Sequence, residues 1–90
     1  MKPNHSEMID EVTRSLSEPF TTKQVIGAIV ERYLKIRPIN IDSLRTDIAG
    51  CCVNLKSHKH LPDLPNLLVA VGRGKYRRFN PLKDSNHIIH

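Results

Sequence analysis

Gly72-Arg73-Gly74-Lys75-Tyr76-Arg77-Arg78-Phe79 follows the apolar run Leu67-Leu68-Val69-Ala70-Val71, and the two together decide the fold class. Short apolar or β-prone runs on either side of a glycine-bearing turn predict a β-hairpin, with strands Leu67 to Val71 and Lys75 to Phe79 and glycines taking the turn geometry. Alternation puts Lys75, Arg77 and Phe79 on one face and Tyr76 and Arg78 on the other. Not every cation can therefore reach one partner. Arg73 at the tip, with Lys75 and Arg77 beside it, is the favoured set, and Tyr76 is expected to pack inward.

Upstream of the hairpin the pattern is helical. Ile9, Val12 and Leu16 predict a short amphipathic helix from about Ser6, its cap, to Ser17, closed by Glu18-Pro19. Phe20-Thr21 suits a brief extended piece. Thr21-Thr22-Lys23-Gln24 then matches a capping box opening a second helix of about fourteen residues, with Val25, Ile26, Ile29, Tyr33 and Ile36 on its apolar face and Pro38 as its stop.

A third helix is predicted from Ile41 to about Leu55, capped by Asn40 or Asp42. At 100° per residue, Leu44, Ile48, Cys51 and Leu55 form a core stripe, with Ile41 and Cys52 at its margin. Thr46, Ala49, Gly50 and Val53 lie opposite, flanked by Arg45 and Lys56 on one side and by Ser43, Asp47 and Asn54 on the other. Beyond Lys56, Pro62 and Pro65 predict an irregular loop. The expected organisation is a flexible 1–5, one α+β domain over 6–80, and a loose polar tail over 81–90.

The formal charge of +5 is unevenly spread. Residues 1–55 hold seven Lys or Arg and seven Asp or Glu, whereas residues 56–90 hold seven Lys or Arg against Asp63 and Asp84 alone. A neutral scaffold with a basic end is the footprint expected of a polyanion-binding protein. A chain of 90 residues with 4% aromatics has little material for a deep pocket. Its nine acids are scattered, with no glycine-rich loop opening a helix and no nucleophile, base and orienting acid in register. The expectation is a binding protein rather than an enzyme.

Adjacent Cys51 and Cys52 are expected to stay reduced, which suits the cytoplasm, or the nucleoid of a prokaryotic cell, as does the lack of an N-terminal apolar stretch. With His58 and His60 they lie within ten residues, but structural zinc sites separate paired cysteines by two to four positions. No metal or cofactor is expected.

Helix, extended piece, helix, tight link, helix and hairpin is the layout of a winged helix-turn-helix. The hairpin octet, preceded by Asp42-Ser43-Leu44-Arg45-Thr46-Asp47-Ile48, resembles the winged-helix domains appended to restriction endonucleases, above all the C-terminal DNA-binding domain of the methyl-directed restriction enzymes. The likeness covers roughly residues 20 to 80 in layout. It implies duplex DNA as partner, with the third helix in the major groove and the wing on the backbone, in a regulator or in the targeting domain of a restriction or defence system.

Carried onto this sequence, the wing contacts are Arg73, Lys75, Arg77 and Arg78, with Arg78 the least suited by alternation. The groove candidates are Arg45, Thr46, Ala49, Gly50, Val53 and Asn54, with Lys56 beside them. Arg45 suits guanine, Asn54 suits adenine, and Val53 or Ala49 suits a thymine methyl. The competing expectation is a winged-helix adaptor that docks a protein, a second copy or a larger partner, through Ile41, Gly50 and Val53.

Overall fold

The computed structural model describes residues 3–55 and 64–84. Within them lie four helices and a three-stranded antiparallel sheet: α1 (His5–Thr13), β1 (Phe20–Thr21), α2 (Thr22–Tyr33), α3 (Ile41–Gly50), β2 (Leu68–Gly72), β3 (Lys75–Arg78) and α4 (Pro81–Asp84). The α+β class expected from the sequence is what forms. No helix among the described residues is long and apolar enough to cross a membrane.

α1 starts one residue earlier and ends four earlier than its apolar spacing suggests. Asn4, not Ser6, is the cap. Its side chain accepts the Glu7 amide at 2.8 Å while the Glu7 carboxylate accepts the Asn4 amide at 3.2 Å, a reciprocal capping box. Residues 3–5 thus belong to the fold rather than to a flexible arm. At the other end the buried Thr13 hydroxyl donates to the Ile9 carbonyl at 2.7 Å, and the chain then turns.

α2 opens with the anticipated box, the Thr21 hydroxyl accepting the Gln24 amide at 3.1 Å and Gln24 Oε1 accepting the Thr21 amide at 2.8 Å. It stops at Tyr33, five residues before Pro38. Ile36, expected on the apolar face, lies past the helix end and is 51% exposed.

The largest departure is in α3, which ends at Gly50 instead of Leu55. Tertiary hydrogen bonds redirect the backbone: the Cys51 carbonyl accepts the Leu67 and Leu68 amides, and the Val53 amide donates to the Leu68 carbonyl at 2.9 Å. Cys51, Cys52 and Val53 are fully buried as a result. Leu44 and Ile48, the first two members of the α3 core stripe, pack with Met8, Ile9, Phe20, Val25, Ile29 and Leu68.

The sheet order is β1-β3-β2, with Phe20 opposite Tyr76 and Thr21 opposite Lys75. In the hairpin the register shifts between Ala70 and Gly72, leaving Val71 as a bulge residue, 48% exposed. Of the two turn glycines only Gly74 takes a positive φ, +70°. Tyr76 is buried, as alternation anticipates. The expected loose tail is structured at its start, because α4 carries the buried Asp84 back against the hairpin.

Candidate nucleic-acid interface

The four hairpin cations fall into two classes. Arg77 forms a bidentate pair with Asp84, NH1 to Oδ2 at 2.7 Å and NH2 to Oδ1 at 2.5 Å. The Asp84 side chain is 2% exposed, and its Oδ2 also accepts the Asn80 amide at 2.8 Å. The hydrogen bond and charge of Asp84 push the Arg77 guanidinium above its ordinary pKa against the opposing effect of burial.

Arg78 crosses to α1. It donates to the Asp10 carbonyl and the Thr13 hydroxyl at 2.8 Å each and pairs with the Asp10 carboxylate at 2.9 Å. Burial alone would raise the Asp10 carboxyl, but hydrogen bonds and charge from Arg78 and Arg14 hold it below its ordinary value. The Arg78 amide is satisfied as well, by Glu18 at 2.6 Å. Arg77 and Arg78, 32% and 33% exposed, thus tie the hairpin to α4 and α1, whereas the sequence leads to both as phosphate contacts.

Arg73 and Lys75 differ. Both are exposed at the turn end of the hairpin, and neither pairs with an acid among the described residues. Only these two wing candidates keep their charge available.

On α3, Arg45 and Thr46 are exposed and Ala49 is half-buried. Asn54 is elsewhere. Its side chain donates to the Ala70 carbonyl and accepts the Ala70 amide, both at 2.9 Å, so its amide is spent joining the turn after α3 to β2. The sequence places it on a helix face that does not exist. Val53 and Gly50, expected on the outer face, are both buried. That removes Val53 as a thymine contact and two of the three residues of the adaptor surface. Lys56 lies outside the described residues, as do His58 and His60.

Both thiols are buried, free, and pushed up to about 12 by loss of solvation, with the Asp47 charge adding for Cys51 and Cys51 itself for Cys52. Neither offers a reactive thiolate at neutral pH.

Asp84 and Asp10, which hold two of the hairpin cations, escaped the sequence reading. One signal for Asp84 was present: only it and Asp63 are acids in the last 35 residues, where the cations crowd. No local signal pairs Asp10 with a residue 68 positions away.

A family profile described as a domain of unknown function (DUF7669) matches residues 6–78, most of the chain. No curated protein and no solved structure matches it.

Proposed function

This chain belongs to the DUF7669 family, and we propose that it is a winged-helix module that binds duplex DNA, as a regulator or as the targeting part of a restriction or defence system. The observation that carries the reading is the division of the hairpin cations. Arg77 and Arg78 are consumed in holding the hairpin to α4 and α1, while Arg73 and Lys75 stand free at its end. β3 lies between β1 and β2, so its cations do not sit on an edge strand where charge would serve only to resist aggregation.

The element order and the pairing of β1 with β3 support the winged-helix assignment, in which α3 is the recognition helix and β2-β3 the wing. Backbone contacts from the wing fix position; α3 meets the bases. Titration of a labelled random duplex, the matching single strand and a duplex RNA at two salt concentrations tests this. The duplex DNA should bind most tightly and weaken steeply with salt; absence of salt-sensitive binding refutes the reading.

A second reading has one observation behind it. Leu34, Ile36 and Ile41 are 55%, 51% and 44% exposed around the link between α2 and α3, an apolar corner suited to a protein partner. Sedimentation showing concentration-dependent self-association that Leu34→Ser abolishes would favour it.

A further inference from the structure

Asp42, Arg45, Thr46 and Ala49 stand at i, i+3, i+4 and i+7 along α3, on one stripe turned away from Leu44, Ile48 and Cys51. At about 1.5 Å per residue the stripe is about 10 Å long, or three base-pair steps of about 3.4 Å. Its chemistry is not that of a phosphate-binding face. It holds one cation, one acid and two methyl-bearing side chains, so its charges cancel, and an acid here repels a backbone while accepting from a base amine. Neither the Asp42 carboxylate nor the Arg45 guanidinium has a hydrogen-bond or ion-pair partner among the described residues, although three positions apart they could have paired.

The Thr46 hydroxyl donates to the Asp42 carbonyl at 3.2 Å, which commits its proton to the helix and leaves its methyl as the group to offer outward. Beside it lies the Ala49 methyl. With Asn54 occupied by Ala70 and Val53 buried, the two other base readers suggested by the sequence are gone.

We propose that this stripe makes the module sequence-specific: Arg45 takes the O6 and N7 acceptors of a guanine, Thr46 and Ala49 pack on the C5 methyl of a neighbouring thymine, and Asp42 accepts from a cytosine amine in the same short site. In the major groove only guanine offers two acceptors on one base, and only thymine among the four bases offers a methyl. The inference rests on the duplex-DNA reading above.

The test is selection of the wild-type protein on a random duplex library, followed by affinities for the selected duplex carrying single replacements. Guanine to 7-deazaguanine, which removes only N7, should weaken wild-type binding about tenfold, and Arg45→Lys should weaken binding to the unmodified duplex by a similar factor. Thymine to uracil, which removes only the methyl, should cost about threefold to fourfold, and that penalty should shrink in Thr46→Ser. Salt-sensitive binding with no enriched guanine or thymine, or equal affinity for the modified duplexes, overturns the base-reading stripe and leaves duplex binding standing. Failure of the wild type to bind any duplex overturns both.

Discussion

Replacing Arg77 by alanine should damage the fold rather than merely remove a DNA contact. The substitution takes the bidentate guanidinium away from the Asp84 carboxylate, which is 2% exposed. Breaking a buried pair on one side costs about 3–5 kcal/mol, and the partial exposure of Arg77 places the loss here near the lower end, about 3 kcal/mol. Against a total stability of about 5–13 kcal/mol for a domain of this size, that is a large fraction. Urea denaturation and thermal melting monitored by circular dichroism measure it, with a fall in Tm of more than about 10 °C expected. Replacing both partners, as Arg77→Met with Asp84→Leu, should recover most of the loss, because the buried carboxylate is removed together with its guanidinium. Wild-type stability in Arg77→Ala would refute the assignment of Arg77 as a staple and return it to the list of phosphate contacts.

Three further outcomes are expected. The depressed Asp10 carboxyl stabilises the folded chain above its ordinary value of 3.8, and that contribution is lost as pH falls through the lower folded value; Asp10→Asn should flatten the acid limb of the stability profile. Cys51 and Cys52, held protonated to about pH 12, should resist alkylation at pH 8 in the native protein and react on unfolding in urea. Gly74→Ala meets open space but forces a side chain onto a φ of +70°, so it should cost about 1–2 kcal/mol in denaturation experiments.

What the sequence revealed is what depends on near neighbours. The Thr21 and Gln24 box, the apolar periods of α1 and α2, and the change to hairpin alternation are all encoded within a few residues, and each locates an element. Asn4-His5-Ser6-Glu7 carried the same kind of signal, since Asn with Glu three positions on is a capping box. The end of α3 was not legible in this way. Leu55 continues the helical spacing, but the Cys51 carbonyl accepts from Leu67 and Leu68 and the Val53 amide donates to Leu68, so the chain leaves the helix. That misplaced Asn54 and Val53 together.

The ion pairs of Arg77 and Arg78 were hidden for a similar reason. Local alternation separates Tyr76 from Arg77 correctly, but it cannot tell a cation facing solvent from one facing a carboxylate that returns from α1 or α4. Electrostatic partners with long sequence separations are set by the folded chain, so the number of available charges could be read only after folding.

The central claim is that Arg73 and Lys75 are the wing's phosphate contacts. The most direct measurement is the slope of log K against log salt for duplex DNA, in the wild type and in the Arg73→Ala, Lys75→Ala double variant. Each lost phosphate contact lowers the magnitude of the slope by about 0.9, so the double variant should be shallower by about 1.8 and weaker on every sequence, with its Tm unchanged. An unaltered slope and affinity in a correctly folded double variant would contradict the account.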